Sequence, residues 1–513
     1  MNAKIRRQLK ARKRRVDARI DKVNWSGTSP MIGTPAIQYE LAEKQQAISA
    51  GGIGAIMQLI GQLDLRKQIN QAIPLLKLHL PYDEADHVFN IALNLLAGGT
   101  CLDHLELRRT DEAFLNALGA ERIPDPTTAG DFCRRFDEYS VLQLMQAFNR
   151  VRQKVWRQQP KDFFKVATIE ADGTMVETGG QRKQGIGMNY KKQWGYHPLA
   201  VTLANTGEPL YVVNRSGNRP SHELAPFFID LAIEQCRTAG FEKIVVRGDT
   251  DFALTENFDR WSEENVQFVF GLDAMPNLVK LADSLENKAW RPLRRRLEKP
   301  PQTGKRRRRP NYKQQIVVEK EYENKKLKGE WIAEFDYRPG KCKRSYRVVV
   351  VRKEIEVTKG QQKLFDDTPY LFYITNVPRR EKSDRQVVFA ANDRCDQENT
   401  ISQLKDCGAL TAPLDNLVSN WAYMAIASLA WSLKIWSGLM IDPRGTEKTK
   451  KSQAETKRRV IRMDFKTFCQ TLIQIPAQII RRSRRLVYRL LSYRESMEPL
   501  LLIHENICRP LRC

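Results

Sequence analysis

The chain has 513 residues, of which 85 are lysine or arginine and 60 are aspartate or glutamate, so its formal net charge at pH 7 is +25. A hydrophobic content of 42% is enough for several folded cores and excludes a chain disordered throughout. Its most apolar stretch, 421–433, is shorter than the roughly 20 residues that a membrane helix needs, and the basic residues 1–22 lack the apolar segment of a secretory signal. Nine cysteines without a CxxC pair favour reduced thiols over a disulfide framework. We therefore expect a cytoplasmic protein with no membrane association.

Three short segments carry almost all of the excess positive charge. Residues 1–22 and 290–309 each contain ten basic side chains, against two and one acidic ones, and residues 444–462 contain eight against two. Any one of these runs fits an ordinary solvated segment, and none has the apolar face with which a helix lies on a membrane surface. Three runs on an otherwise almost neutral chain favour a polyanionic partner, and we expect nucleic acid.

The segment 39–150 is mainly helical by its hydrophobic pattern. Within it, Thr127 or Thr128 is placed to cap a helix that contains Arg134 and Arg135. Short helices joined by a capped turn and followed by two arginines fit a helix-turn-helix-like reader of DNA. An ordinary helical bundle fits the same pattern equally well, so both interpretations stay open.

From residue 162 onward the pattern changes to strands that alternate with helices. The predicted strands are 165–172, 197–204, 209–214, 243–249 and 266–272, and the predicted helices between them are 221–239 and 254–265. Their order, β-β-β-α-β-α-β, predicts a meander extended by crossover connections. Further strands at 315–320, 331–337, 346–352 and 370–376 predict an all-β insertion, after which helices are predicted at 384–436 and 464–493.

Two of these predicted strands end in an aspartate: Asp172 closes the first and Asp249 the fourth. Functional groups of an open sheet gather beyond the carboxyl ends of its strands, and carboxylates there can bind cations such as Mg²⁺. Glu170 points to the same face as Asp172, and Asp251 follows Asp249 in the turn. Strand-end aspartates often accept only turn hydrogen bonds, so two of them alone do not establish a site.

A third acid lies on a predicted helix, in the spacing Arg394-x3-Glu398-x6-Lys405. Offsets of four and seven residues place all three side chains on one helix face. A carboxylate between two cations suits a metal ligand next to phosphate contacts. A plain row of surface ion pairs would have the same spacing.

Taken together, these motifs resemble the DDE transposases of bacterial insertion sequences, in the branch whose signature is Tyr-x2-Arg-x3-Glu-x6-Lys. The similarity lies in segments 169–174 and 247–249 and in the helical motif, with supporting matches at 195–199, 215–218, 268–272 and 396–399. One departure is Ala391, which stands where the signature has tyrosine.

The resemblance implies an α/β fold with a ribonuclease-H-like mixed-sheet core and an all-β insertion, preceded by a helical N-terminal domain and followed by a helical C-terminal region. It implies that Asp172, Asp249 and Glu398 are catalytic and bind two Mg²⁺ ions, with Mn²⁺ as a substitute. Arg394 and Lys405 would bind DNA phosphates. The expected partner is double-stranded DNA, both the terminal inverted repeats of the element and the target, bound by a homodimer in the bacterial cytoplasm at the nucleoid.

These expectations divide the chain into six parts. They are a basic N-terminal tail (1–30), a helical DNA-binding domain (31–160), the first part of the catalytic core (161–280), a strand insertion with a basic linker (281–383), the second part of the core with Glu398 (384–440) and a basic helical C-terminal region (441–513). The expected function is nicking of the element ends and joining to target DNA. The alternatives are a nuclease of the same fold that does not join strands and a catalytically silent, transposase-derived DNA-binding protein.

Overall fold

A computed structural model describes residues 3–22, 46–295, 323–359, 362–367, 369–393, 395–482, 485–491 and 493–512. The predicted strand 315–320, most of the second basic run and Arg394 lie outside these ranges. No helix within them is long and apolar enough to cross a membrane. The cysteines whose side chains are described are free thiols, as expected.

The N-terminal part of the chain is helical, apart from the two-residue strand β1 (Ala47–Ile48). Its helices are α1 (Ala3–Asp21), α2 (Ile53–Gln62), α3 (Leu65–Ala72), α4 (Glu84–Leu96), α5 (Leu105–Arg109), α6 (Glu112–Leu118), α7 (Pro126–Arg134) and α8 (Glu138–Trp156). The cap of α7 is Asp125, whose carboxylate accepts the backbone N–H and the hydroxyl of Thr128. The expectation that Thr127 or Thr128 caps this helix is therefore wrong. The carboxylate of Asp125, which precedes Pro126, already accepts the backbone N–H of Thr128 at the start of the helix.

The basic segment that the sequence suggests as a tail forms α1, which packs against the C-terminal part of the chain. Leu9 is buried, and the guanidinium of Arg12 donates a hydrogen bond to the carbonyl of Leu490 (3.0 Å). Most other side chains of α1 are exposed. The helix therefore presents its basic residues on a surface of defined geometry.

A large mixed sheet follows, and its first five long strands keep the order that the sequence predicts. These are β2 (Ala167–Gly173), β6 (Leu199–Leu203), β7 (Glu208–Val213), β8 (Ile244–Gly248) and β9 (Val266–Leu272); β3 (Val176–Glu177), β4 (Gly187–Met188) and β5 (Trp194–Tyr196) form a small separate sheet. The antiparallel meander β2-β6-β7 adjoins the parallel strands β8 and β9. The crossovers contain α9 (Ala225–Ala239) and α10 (Phe258–Glu263), both shorter than predicted, and α11 (Pro276–Asp283) follows β9.

The strands of the insertion extend this same sheet. They are β10 (Arg291–Pro292), β11 (Glu323–Tyr337), β12 (Tyr346–Lys359), β13 (Gln362–Asp367) and β14 (Tyr370–Thr375). Strand β14 pairs antiparallel with β9, which gives the order β10-β11-β12-β14-β9-β8-β2-β6-β7. Tyr346 packs edge-on against Phe258 across the junction. The insertion thus covers the edge of β9 that would otherwise have unpaired backbone groups.

The helices after the insertion are α12 (Asp384–Asn392), α13 (Cys395–Asp406), α14 (Leu417–Leu439), α15 (Glu447–Arg462) and α16 (Phe465–Phe468). Helix α14 contains the most apolar stretch of the sequence and is buried along almost its whole length between α4, α7, α8 and β7. The fully buried carboxylate of Glu208 on β7 accepts hydrogen bonds from Arg152, Trp156 and Trp436. These bonds join the N-terminal helices, the sheet and α14 into one core.

The C-terminal part contains a β-hairpin where helix is predicted. Strands β15 (Ala477–Arg482) and β16 (Arg485–Leu490) pair with each other, β15 also pairs with β1, and α17 (Met497–Ile507) follows. The prediction of helix over 464–493 is therefore wrong for this segment. Its side chains alternate between buried and exposed positions and include the strand-favouring Ile479, Val487 and Tyr488, so its period is two.

Candidate active site

Asp172 and Asp249 lie at the same edge of the central sheet. Strands β2 and β8 are parallel and pair Glu170 with Arg247, so each aspartate follows two residues further along its own strand. Neighbouring strands are about 4.8 Å apart. Both aspartates are half-buried. The prediction that each aspartate stands at the carboxyl end of a strand is confirmed, and the pairing of β2 with β8 makes the two strands neighbours.

Asp249 also has the local role expected of a strand-end aspartate. Its carboxylate accepts the backbone N–H of Asp251 (3.1 Å) and so caps the 3₁₀ turn Thr250–Phe252. The preceding Gly248 permits this turn, because a Cβ there would lie 2.8 Å from the Cβ of Phe252 and 3.0 Å from the ring of Phe270. The turn bond fixes the direction of the carboxylate.

Glu398 and Asp249 line the same cavity, although they are distant in the sequence. The cavity measures about 240 Å³, and its other lining residues are Gly248, Thr250, Gly271, Leu272, Leu371, Phe372, Tyr373, Ala391 and Asn392. Glu398 is exposed on α13. Ala391, at the position of the missing signature tyrosine, therefore faces the cavity that both acids share.

Helix α13 is attached to the sheet through the residue immediately before Glu398. Gln397 is fully buried, and its side-chain oxygen accepts a hydrogen bond from the hydroxyl of Thr202. Its amide donates to the carbonyl of Ala200 (3.3 Å). Ala200 and Thr202 are the partners of Asp172 and Glu170 on β2. Gln397 thus connects the helix of Glu398 to the strand next to Asp172.

Lys405 lies on the same exposed face of α13 as Glu398, in agreement with the predicted spacing. Its ammonium donates a hydrogen bond to the carbonyl of Met175 (3.4 Å), three residues after Asp172. A cation is therefore positioned beside the end of β2. The second predicted phosphate contact, Arg394, lies outside the described residues.

Glu170 belongs to a buried ion pair. Its side chain is 1% exposed and lies 2.5 Å from the guanidinium of Arg247. The same guanidinium donates to the carbonyl of Ala390 (2.8 Å) near the end of α12. The pair thus positions the helix before α13. Neither Gln397 nor Arg247 is assigned a role by sequence reasoning, although both lie within the matched motifs.

Two residues of the supporting motifs lie against the end of β2. A Cβ on Gly173 would be 3.0 Å from Nε2 of His197 and 3.3 Å from Nη2 of Arg215. The guanidinium of Arg215 is buried and donates to the carbonyls of His197, Pro220, Ser221 and Glu223. Burial lowers the pKa of Arg215 to about 10 and also lowers the pKa of His197. Arg215 therefore stays charged at neutral pH beside Gly173, at the end of β2.

The chemistry of these side chains suits a hard divalent cation, which prefers carboxylate oxygen ligands. Asp172, Asp249 and Glu398 supply such oxygens from two strand ends and one helix. Asp249 and Glu398 share a cavity, and Asp172 lies at the neighbouring strand end. Across the described ranges, no group of three or more histidine, cysteine, aspartate or glutamate side chains is close enough together to bind a metal ion. The carboxylate oxygens are the type of donor that such a cation prefers. The three carboxylates do not, however, surround one point at which an ion would bind.

Comparison with known proteins identifies a family that matches almost the whole chain. A family model described as "Transposase DDE domain group 1" matches residues 42–510. Among solved structures, the cryo-EM structure of a piggyBac transposase synaptic complex with hairpin DNA is 11% identical, covering 82% of this chain and 81% of that chain with a TM-score of 0.36. That score is too low for the likeness to bear on the fold. No curated protein shows significant sequence similarity.

Proposed function

Since the chain belongs to the family of transposases with a group 1 DDE domain, we propose that it nicks the ends of a mobile element and joins them to target DNA. The proposed catalytic residues are Asp172, Asp249 and Glu398. The observation that carries the assignment is the cavity shared by Asp249 and Glu398 beside the strand end of Asp172.

The central sheet supports a ribonuclease-H-like core. It combines an antiparallel meander with two parallel crossover strands, and the helix with the third acid packs across the strand that carries the first. Open sheets of this type place functional groups beyond the carboxyl ends of their strands. The positions of Asp172 and Asp249 agree with that rule.

The three carboxylates are proposed to bind two Mg²⁺ ions, with Mn²⁺ as a substitute. When bound, such paired ions stabilise both the attacking and the leaving oxygen of an in-line displacement at phosphorus. The side chains hold the necessary oxygen donors on rigid elements: a central strand, a capped turn and an anchored helix. The anchored helix keeps the third donor at the cavity that Asp249 also lines.

The proposed reaction consists of two displacements at phosphorus. In the first, a water oxygen bonds to phosphorus at the element end, the bond to the 3′ oxygen breaks, and a 3′-hydroxyl is released. In the second, that hydroxyl oxygen bonds to a phosphorus of the target strand, whose own 3′ oxygen leaves. Lys405, beside the end of β2, would hold a backbone phosphate, and the family resemblance implies the same role for Arg394. Such contacts set register without reading sequence.

DNA binding is what the family implies, and the charged surface supports it. Arg6 of α1 and Lys448 and Arg459 of α15 line one cleft of about 630 Å³, whose lining also includes three acidic residues, Glu455, Glu495 and Glu498. The fold thus brings the first and third basic runs together. In the second run, Arg291 and Arg295 form ion pairs with Asp384 and Glu330. We propose that duplex DNA lies along α1 and α15, bound by a homodimer that joins two element ends.

The test uses duplex DNA that carries the ends of the element, incubated with the full chain and Mg²⁺. Asp172→Asn, Asp249→Asn and Glu398→Gln should each lose cleavage and strand joining by at least 10³-fold while end binding and folding persist. Each variant should also bind Mn²⁺ more weakly in a calorimetric titration. Asn and Gln keep the shape of the side chain and remove the charge that a metal ligand needs.

The outcomes separate the proposal from its alternatives. Cleavage by the wild-type chain without joined products would favour a nuclease of the same fold. End binding without any cleavage would favour a silent DNA-binding protein. Normal cleavage by all three variants would show that the active site is elsewhere.

A further inference from the structure

The hairpin formed by β15 and β16 projects beyond the small sheet at its base. Strand β1 pairs only with Ala477 and Gln478, so the outer part of the hairpin is a two-stranded ribbon. At the base, the hydroxyl of Tyr488 donates to the carbonyl of Ala117 (2.6 Å). The ribbon is therefore attached to the N-terminal helices at one end and exposed to solvent at the other.

Three arginines share one face of this ribbon. Arg482 pairs with Arg485, and Arg489 pairs with Gln478 four residues further along β16. Residues that are directly opposite in an antiparallel ladder lie on the same face, and successive pairs alternate between faces. Arg481, which pairs with Leu486, consequently lies on the other face.

The pair Arg482–Arg485 is unfavourable for the folded chain by itself, because like charges directly opposite each other destabilise a strand pair. Both residues are exposed, and within the described ranges no carboxylate forms an ion pair with Arg481, Arg482 or Arg485. Arg489 donates a hydrogen bond to the side-chain oxygen of Gln478 (3.1 Å), which keeps its guanidinium on the same face. This face therefore has the charge complementary to an external polyanion.

We propose that this face of the ribbon, defined by Arg482, Arg485 and Arg489, is a contact surface for duplex DNA. The surface lies outside the three basic runs, and the inference rests on the proposed function because it assumes a DNA substrate. A two-stranded ribbon fits the major groove of B-DNA, which is about 12 Å wide. Four residues of strand span about 14 Å, so the arginine pair and Arg489 reach across that groove. Guanidinium groups bind phosphates and guanine edges through paired hydrogen bonds.

Single substitutions on the two faces of the ribbon test the proposal. Arg485→Ala should weaken binding of the full chain to a duplex about fivefold at 0.1 M salt. It should also reduce the slope of log affinity against log salt by about 0.9, the value for one lost phosphate contact. Arg481→Ala is the matched control, because it removes the same exposed charge from the opposite face, and its affinity should stay within twofold of wild type.

Arg485→Glu separates DNA binding from folding. The glutamate would lie opposite Arg482 and form a favourable cross-strand pair, so the melting temperature should not fall, whereas the affinity for duplex should fall at least tenfold. If Arg485→Ala and Arg485→Glu both bind duplex with wild-type affinity, the proposed role of the ribbon surface is overturned and the proposed function stays intact. If Arg481→Ala and Arg485→Ala lose equal affinity for duplex, the assignment of DNA binding to one face of the ribbon is overturned. Failure of the wild-type chain to bind any duplex would overturn both proposals.

Discussion

The side-chain oxygen of Gln397 accepts a hydrogen bond from the hydroxyl of Thr202, the β6 residue that pairs with Glu170. Because Gln397 immediately precedes Glu398, this bond links the proposed third catalytic acid to the strand adjacent to the first. Gln397 touches neither cavity nor solvent, so it acts by positioning the helix.

Gln397→Met and Thr202→Val should each lower DNA cleavage about tenfold or more while end binding stays within twofold. Both changes keep side-chain volume and remove the hydrogen bond, and a buried polar group left without its partner also costs about 1–3 kcal/mol of unfolding free energy. Cleavage assays below the melting temperature separate the two effects. Thr202→Ser keeps the hydroxyl and should cleave almost normally. Wild-type cleavage by Gln397→Met would show that the anchor does not matter for Glu398.

Glu170→Gln and Asp172→Asn should have opposite effects on stability and activity, although the residues are two positions apart. Glu170 is buried against Arg247, and loss of one partner of a buried ion pair costs about 3 kcal/mol or more. The Glu170→Gln variant should have a lower melting temperature than wild type and should still cleave DNA at low temperature. Asp172→Asn should have the melting temperature of wild type and should not cleave DNA. Thermal melts measure the stability of both variants. Cleavage is measured at a temperature 20 °C below the lower of their two melting temperatures.

Asp251→Asn serves as a control in this comparison, because the backbone of Asp251, and not its side chain, makes the turn bond to Asp249. It should keep both stability and activity. An inactive Glu170→Gln together with an active Asp172→Asn would place the first proposed ligand at Glu170.

Lys405→Ala should slow cleavage while Mn²⁺ binding by calorimetry is unchanged, because the ammonium beside Met175 is proposed to hold a phosphate and not a metal. Lys466→Ala is a control of equal charge: its ammonium pairs with Asp406 at the end of the same helix, and its loss should leave cleavage within twofold. From the sequence we expect Arg394→Ala to behave like Lys405→Ala, and Arg394→Lys not to restore a bidentate contact. Equal activity of Lys405→Ala and wild type would remove this lysine from the site.

Lys434 should make the protein more stable as the pH rises from 7 to 10. Its ammonium is fully buried in α14, donates to the carbonyl of Ile461 (2.6 Å) and lies 4.2 Å from the ring centroid of Trp431. Burial lowers its pKa from 10.5 to about 7, and the opposing effect of Asp464 is smaller. Between these values the unfolded chain binds a proton that the folded chain does not, so the free energy of unfolding rises with pH.

Urea unfolding at several pH values measures this dependence. The contribution of Lys434 approaches about 1.4 kcal/mol per pH unit within the window and vanishes below pH 7, where both states are protonated. Lys434→Met should have a flatter dependence than wild type. The exposed Lys450→Met should match wild type. Identical slopes for Lys434→Met and wild type would mean that the buried ammonium keeps its ordinary pKa.

Local sequence patterns are enough to predict several features of this protein. The order β-β-β-α-β-α-β follows from hydrophobic period and turn residues, and it places Asp172 and Asp249 each at the carboxyl end of a strand. The placement of Glu398 and Lys405 on one face follows from helical spacing alone. The order of such motifs along the chain carries the resemblance to DDE transposases, and the family model that matches residues 42–510 confirms the family.

Which distant residues meet follows from the folded chain and not from these local patterns. The cavity of Asp249 and Glu398, the bond from Thr202 to Gln397 and the pairing of Glu170 with Arg247 depend on contacts between separate elements. The pairing of β15 with β16 contradicts the helix predicted for that segment, and β14 joins β9 because an open strand edge is available there. Pairing of strands and burial of polar groups are set by the whole fold, because their free energy comes from partners that no local pattern identifies.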